Sequence, residues 1–131
     1  MPSSAISFDH IHLISSHSRA AADWYVSHLG GEIVKSYTVG GAPQIHVSLN
    51  GATVVVRGQR DGEQAGDKPR VNWGIDHFGF TVQEDFDGYC AGLKAQGVRF
   101  SLPPTDFNPT TRIAYVEAPD GVTIELVHRR A

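Results

Sequence analysis

The chain repeats one pattern of residues in its two halves. An apolar residue, an Asp-His pair and an alternation of apolar and polar side chains occur in FDHIHLIS (residues 8–15) and again in IDHFGFTV (residues 75–82). This alternation predicts a β-strand in each copy. An internal repeat that spans about half the chain indicates two similar structural modules, neither of which can bury its sheet alone.

Each predicted strand leads into a helix and then into three short strands. Helical spacing and a terminal glycine predict two helices, in SHSRAAADWYVSHLGG and in EDFDGYCAGLKAQG. Ser16 or Ser18 is expected to cap the start of the first helix. The strands that follow are GEIVKSYTV, QIHVSL and ATVVVRG in the first copy and VRFSL, RIAYVEA and VTIELVH in the second. Asn50-Gly51 and Asp120-Gly121 are the predicted turns between the last two strands of each copy. The sequence therefore predicts one α+β domain, 1–131, of two βαβββ modules, 5–58 and 71–130, with a polar, glycine-rich linker at 59–70.

Composition excludes several classes of function. The 131 residues are 40% hydrophobic and 19% charged with a net charge of −3, which is typical of a globular domain and gives no reason to expect nucleic acid or a membrane as a partner. No secretory signal is expected, and Cys90 is the only cysteine, so a reducing cytoplasm is the predicted location. Because Cys90 follows a helical pattern, packing is its predicted role rather than nucleophilic chemistry.

The sequence resembles the vicinal oxygen chelate superfamily, which includes glyoxalase I, methylmalonyl-CoA epimerase, extradiol dioxygenases, fosfomycin resistance proteins and bleomycin-binding proteins. DHIHLIS, WYVSHLGG, IDHFGFTV and above all the terminal YVEAPDGVTIELV carry the resemblance, which covers nearly the whole chain. It implies a cupped mixed sheet around a divalent metal ion, with the helices outside. The ligands that it implies are His10, His77 and Glu125.

The chemistry of these three residues agrees with that implication. Two imidazoles and one carboxylate suit zinc, iron, manganese or nickel and leave coordination positions open for a substrate. Glu125 lies between Ile124 and Leu126, where an unpaired carboxylate is costly to bury. Each residue taken alone is equally compatible with an ordinary polar residue at a strand end or on a half-exposed strand. The matching positions in both copies favour the metal.

Two positions depart from four-ligand relatives such as glyoxalase I. Val55 occupies the position of their fourth ligand, and a two-residue turn at Asn50-Gly51 places His46 opposite Val55, where it either reaches the metal or substrate or simply covers the sheet. His12 shares a strand face with His10, so it is a candidate for proton transfer, for substrate contact or for metal binding in place of His10.

Further residues are candidates for substrate binding. Tyr115 matches a substrate-contacting tyrosine of the fosfomycin resistance proteins, with a plain wall role as the alternative. Arg57 and Arg112 can hold an anionic group, with surface placement as the alternative. Phe107 is a candidate lid residue on SLPPTDFNPT (101–110), which its prolines predict to be a loop. Trp73 either lines the cup or packs in the core.

These features lead to a prediction of function. We expect a metal-dependent enzyme of glyoxalase type that chelates neighbouring oxygens of a small substrate for lyase- or isomerase-like proton transfer, with Glu125, His12 or His46 moving the proton. A ring-cleaving extradiol dioxygenase using Fe(II) is the alternative enzyme, and a metal-free antibiotic-binding protein is the alternative from another class. The resemblance also implies a homodimer.

Overall fold

The computed structural model describes residues 5, 7–67 and 71–130; the end of the predicted linker, 68–70, lies outside the described residues. The chain divides into two compact units, Met1–Ala65 and Gly66–Ala131, which we call the first and second modules. No helix in the described part of the chain is both long and apolar enough to span a membrane.

The first module has the predicted βαβββ order. Its elements are β1 (Ile11–Ile14), α1 (Ser18–Leu29), β2 (Glu32–Val39), β3 (Ala42–Leu49) and β4 (Ala52–Arg57). The strands form one mixed sheet in the order β1-β4-β3-β2, in which β1 runs parallel to β4 and the other neighbours are antiparallel.

The second module repeats this arrangement. Its elements are β5 (Phe78–Thr81), α2 (Phe86–Ala95), β6 (Phe100–Asn108), β7 (Thr111–Glu117) and β8 (Thr123–Arg129), with a short 3-10 turn at Pro119–Gly121. The strand order is β5-β8-β7-β6, and β5 runs parallel to β8. The predicted α+β class with two βαβββ modules is therefore confirmed.

Glycine geometry ends the first helix and sets it against its sheet. Gly30 adopts the left-handed conformation (φ 72°) and its N–H donates to the Tyr25 carbonyl. A Cβ on Gly31 would lie 2.7 Å from a Val47 methyl carbon, so only glycine fits between α1 and β3. The helix begins at Ser18 with His17 as its N-cap residue, so the predicted serine cap is wrong.

Both sheets have one apolar face and one face that carries polar side chains. In the first module α1 packs on β3 and β4, where Ile45, Val47, Val54 and Val56 are fully buried. In the second module Ile124 and Leu126 of β8 are buried, and Glu125 points to the opposite face. Because successive strand residues alternate between faces, the polar candidates of each strand share one surface.

The turn prediction at Asn50-Gly51 is confirmed. Both residues have positive φ (48° and 95°), the backbone that a two-residue hairpin turn requires. The resulting register pairs Leu49 with Ala52 and His46 with Val55, as predicted.

The prediction of a loop at 101–110 is wrong. Residues Phe100–Asn108 form β6, which pairs with β7 through three register shifts, and only the turn at Pro109 and Thr110 is irregular. Prolines are tolerated because β6 is the edge strand of its sheet and no other described strand pairs with its outer side. Prolines occur both in edge strands and in loops, so the sequence pattern alone did not distinguish these two structures for residues 101–110.

Candidate metal and substrate site

Two predicted metal ligands meet on the polar face of the second module. His77 lies just before β5, and its Nε2 atom is 3.1 Å from Oε1 of Glu125 on β8. Both side chains are about a quarter exposed, so solvent or a ligand can reach the pair. The sequence prediction that these two residues belong to one site is consistent with this geometry.

Asp76 fixes the orientation and the proton of the His77 ring. Oδ2 of Asp76 lies 2.8 Å from Nδ1 of His77. An ionised carboxylate only accepts hydrogen bonds, so Nδ1 carries a proton, and Nε2 faces Glu125 with a lone pair in the neutral ring and with an N–H donor in the protonated ring. The same bond to Asp76 is the main cause that raises the pKa of His77 above its ordinary value, against a smaller lowering by burial and with a further contribution from Glu125.

The geometry of this pair fits a divalent ion. A neutral imidazole nitrogen and a carboxylate oxygen both offer lone pairs, so a separation of 3.1 Å is favourable only with a cation or a proton between them. Two ligands about 2.1 Å from one ion and at right angles lie about 3.0 Å apart. Within the described part of the second module, no third His, Cys, Asp or Glu completes the pair into a group that could hold a metal ion. The pair therefore supplies two donors.

A glycine makes room beside the pair. Gly79 on β5 pairs with Glu125 on β8, and a Cβ built at Gly79 would lie 2.8 Å from the Glu125 carbonyl oxygen. Real Cβ atoms do not come so close to a backbone oxygen, so a side chain here would displace β5 from β8. The glycine thus maintains the approach that brings His77 to Glu125.

Tyr115 borders the pair and a pocket. Its ring centroid is 5.3 Å from that of His77, and its backbone pairs with Glu125. Tyr115, Glu125, Ile113 and Val127 line a pocket of about 330 Å³ on the same face of the sheet. This volume is near the lower end of the range for small-molecule sites, about 300–1,000 Å³. The predicted substrate role of Tyr115 stays a prediction, with this position as its support.

The first module repeats the Asp-His geometry. Oδ2 of Asp9 lies 2.6 Å from Nδ1 of His10, which leaves Nε2 of His10 free to bind a ligand. The rings of His10 and His12 are 5.9 Å apart, as expected for residues on one face of a strand. His12 is exposed in part, and the pKa of its ring is lowered first by partial loss of hydration, then by Arg57, His10, Arg60 and His46, so His12 is neutral and able to accept a proton at neutral pH.

His46 takes part in a chain of hydrogen bonds across the first sheet. Arg60 Nη2 donates to Gln44 Oε1 (2.8 Å), Gln44 Nε2 donates to the Tyr37 hydroxyl (3.1 Å), and that hydroxyl shares a hydrogen bond with His46 Nε2 (2.9 Å). In the tautomer in which Nε2 accepts this bond, the proton of neutral His46 lies on Nδ1. A ligand role through Nε2 would require breaking the chain, so this geometry favours proton transfer over metal binding for His46.

Neither predicted arginine has a free guanidinium. Arg57 is buried, against the expectation of surface placement, and donates to both carboxylate oxygens of Glu63 and to the Gly58 carbonyl. Arg112 is partly buried and donates to Asp87 (2.9 Å) and Asp106 (3.2 Å). Sequence reasoning missed these partners because Glu63 lies in the predicted linker, Asp106 lies in the segment predicted as a loop, and Asp87 precedes Arg112 by 25 residues.

The two predicted aromatic contacts differ in their placement. Phe107 lies on β6 at a register shift between Asp106 and Asn108 and lines the pocket beside Tyr115, so it is a strand residue and not part of a lid loop. Trp73 is fully exposed, which makes the alternative of a core role wrong.

Cys90 is buried in α2, and burial raises the pKa of its thiol to about 11, in agreement with a packing role.

Comparison with known proteins decides the family. A model of the glyoxalase/bleomycin resistance protein/dioxygenase superfamily matches residues 7–126. The chain belongs to this superfamily. No match was found among the curated proteins.

Solved structures of the superfamily share the fold. A glyoxalase/bleomycin resistance protein/dioxygenase domain from Frankia sp. EAN1pec is 22% identical, with a TM-score of 0.82 over 97% of this chain and 94% of that one. A glyoxalase family protein from Bacillus cereus is 14% identical, with a TM-score of 0.81 over 98% and 97%. The fosfomycin resistance protein FosX from Listeria monocytogenes, solved as a mutant with Mn(II), is 18% identical, with a TM-score of 0.71 over 92% and 90%. At these identities the likeness shows the fold alone.

Proposed function

We propose that this superfamily member is a divalent-metal-dependent enzyme of glyoxalase type that performs lyase- or isomerase-like proton transfer on a small substrate with neighbouring oxygens. The observation that carries the proposal is the His77–Glu125 pair, in which an imidazole nitrogen and a carboxylate oxygen face each other at 3.1 Å and Asp76 contacts the other ring nitrogen. His10, held in the same way by Asp9, is the proposed third ligand. Mn(II) in FosX supports the choice of a divalent ion, whose identity among zinc, iron, manganese and nickel stays open.

A divalent ion held by His77, Glu125 and His10 would supply positive charge to stabilise negative charge on substrate oxygens. Asp76 and Asp9 keep each imidazole in the tautomer with its Nε2 lone pair exposed. An outer carboxylate of this kind orients a ligating histidine and increases its basicity. Tyr115 and Phe107 line the pocket next to Glu125.

Proton transfer is assigned to three side chains with acid–base groups. His12 is proposed as the base, because its lowered pKa keeps it neutral. His46 is proposed as the donor through Nδ1–H, since its Nε2 is occupied by the Tyr37 hydroxyl. Glu125 stays a candidate for the same role through the carboxylate oxygen that does not face His77.

The test is the metal content and metal affinity of the purified protein. We expect about one divalent ion per chain by elemental analysis, and a loss of affinity greater than about 100-fold in Glu125→Ala, since changes in the outer shell alone typically cost 10–100-fold. The matched control is Glu117→Ala, which removes another strand glutamate of the second module that pairs with the exposed Arg99. Its metal affinity should equal that of the unaltered protein.

Other outcomes identify the alternatives. Well under one ion per chain, with none taken up on loading, would contradict the proposal and support a metal-free binding protein. Turnover of catechols with Fe(II) and oxygen, without turnover of methylglyoxal–thiol adducts, would support the dioxygenase. The predicted homodimer is tested by light scattering, and the predicted cytoplasmic location by fractionation.

A further inference from the structure

We propose that the pocket of the second module binds a small molecule with an anionic group on an apolar body, and that Arg129 holds that group. The inference rests on the proposed function, since it names the substrate class of the same site. It goes beyond the residues considered so far, because neither Arg57 nor Arg112 has a guanidinium available for an anion.

Arg129 lies at one end of the pocket in a row of hydrogen-bond donors. It pairs with Thr111 across β7 and β8, and Thr111 pairs with Asn108 across β6 and β7. Residues paired in this way present their side chains on the same face, and all three line the pocket. The row offers a guanidinium, a hydroxyl and an amide.

Arg129 differs from the other arginines of the second module that the structure describes. Arg99 pairs with Glu117, Arg112 with Asp87 and Asp106, and Arg130 with Asp106. Among the described residues Arg129 forms no ion pair, although it borders a concave surface. A guanidinium that faces a pocket without a carboxylate partner is suited to a bidentate bond with an anionic ligand.

Asn108 adds a directed donor beside Arg129. Its Oδ1 accepts hydrogen bonds from the backbone N–H (2.9 Å) and the hydroxyl (3.0 Å) of Thr110. A backbone N–H only donates, so this contact fixes the amide with its oxygen towards Thr110 and its NH₂ group turned away. That group is available for an oxygen of the ligand.

The pocket changes character from Arg129 to Glu125. Ile113 and Val127 pair with each other and form the next row, and Tyr115 and Glu125 form the row beyond. Four residues along β8 separate Glu125 from Arg129, which corresponds to roughly 13 Å between their Cα atoms at about 3.3 Å per residue. A molecule that spans these rows has an anionic end, an apolar middle against Ile113 and Val127, and a reactive end at Glu125.

The experiment is an NMR titration of the full chain with benzoate, its uncharged amide benzamide, and phenyl phosphate. Protein stripped of metal with EDTA is used, so that binding to a metal does not contribute. We expect benzoate to shift the resonances of Val127 and Ile113 and to bind about tenfold more tightly than benzamide. Arg129→Gln should remove that difference, whereas Arg99→Gln, an exposed arginine outside the pocket, should leave it intact.

Phenyl phosphate separates two kinds of anion. Arg129-dependent binding of phenyl phosphate in preference to benzoate supports the inference with a phosphate in place of a carboxylate. Equal affinity for benzoate and benzamide, or an unchanged benzoate affinity in Arg129→Gln, overturns it. An equal loss of benzoate affinity in Arg99→Gln also overturns it, because the loss would then follow from the change in net charge of the protein.

This test is independent of the test of the proposed function. If the protein binds no metal but benzoate still depends on Arg129, the pocket assignment stands and the enzyme proposal fails. If the protein binds metal through Glu125 but binds neither benzoate nor phenyl phosphate more tightly than benzamide, the enzyme proposal stands and the assignment of Arg129 fails.

Discussion

The two modules share a fold but carry different side chains where their first strand pairs with their last strand. In the first module His12 of β1 pairs with Val55 of β4, and in the second module Gly79 of β5 pairs with Glu125 of β8. The next strand adds His46 opposite Val55 in one module and Tyr115 opposite Glu125 in the other. The first module therefore carries imidazoles around an aliphatic residue, and the second carries a carboxylate beside a gap.

This difference underlies our proposal that the two modules contribute different chemistry. Because Gly79 has no side chain, β5 lies close to β8 at Glu125, and Nε2 of His77 lies 3.1 Å from Oε1 of Glu125. In the first module Val55 has no donor atom, and the neighbouring histidines, His12 and His46, are the groups for which we propose proton transfer. The Asp-His pairs are the shared part, because both modules hold the histidine by Nδ1.

The largest expected effect is on folding stability, from filling the gap. Gly79→Ala should destabilise the protein by about 1–3 kcal/mol, because the new methyl group would lie against the Glu125 carbonyl. His12→Ala at the matching position should change stability by less than about 0.5 kcal/mol, since His12 is exposed. Urea denaturation measures both.

Gly92→Ala is the matched control for Gly79→Ala. A Cβ at Gly92, in α2, meets no atom within 4 Å, so alanine should stabilise the helix by about 0.5–1 kcal/mol. A Gly79→Ala variant as stable as the unaltered protein would show that β5 and β8 can separate without cost.

The next effect is on metal affinity, from the residues behind the histidines. Asp76→Asn and Asp9→Asn should each weaken binding by about 10–100-fold, because an amide no longer enforces the Nδ1–H tautomer. Isothermal titration with zinc measures the affinity, and the ¹⁵N shifts of the imidazoles report the tautomer directly. A loss with Asp76→Asn but not with Asp9→Asn would remove His10 from the ligand set and confine the metal to the second module.

The smallest expected effect is the difference between two histidine titrations in metal-free protein. Asp76 is the main cause that raises the pKa of His77, and burial is the main cause that lowers the pKa of His12. As the pH falls, His77 should therefore take up its proton first and His12 later, so that near the ordinary histidine pKa only His77 is mostly charged. NMR of the ring Hε1 protons measures both midpoints, and the reverse order would contradict the contrast between the modules.

Much of the fold was predictable because it follows from local patterns. The duplicated Asp-His motif, the helical spacing around Tyr25 and Leu93, and the turn at Asn50-Gly51 each depend on residues close together in the chain. The segment 101–110 was predicted wrongly, because an edge strand tolerates the prolines that usually indicate a loop. Edge position is a property of the whole sheet.

The candidate site was predictable in part. The pairing of His46 with Val55 followed from the turn, and the shared site of His77 and Glu125 was expected from the resemblance. The partners of Arg57 and Arg112 were missed, because Glu63, Asp87 and Asp106 reach them only through the folded backbone. Arg129 was missed although it follows Glu125 by four residues on one strand, a spacing that places both on the same face.

The sequence by itself determined the duplicated βαβββ modules, the strand faces and the Asp-His pairs, because each depends on periodicity and on neighbours in the chain. Only the tertiary structure decided which charged groups neutralise one another and which remain available. Ion pairing depends on distances of a few ångströms between side chains, which the folded backbone sets and the sequence pattern does not. For that reason the structure, and not the sequence, distinguishes the occupied Arg57 and Arg112 from Arg129 at the pocket.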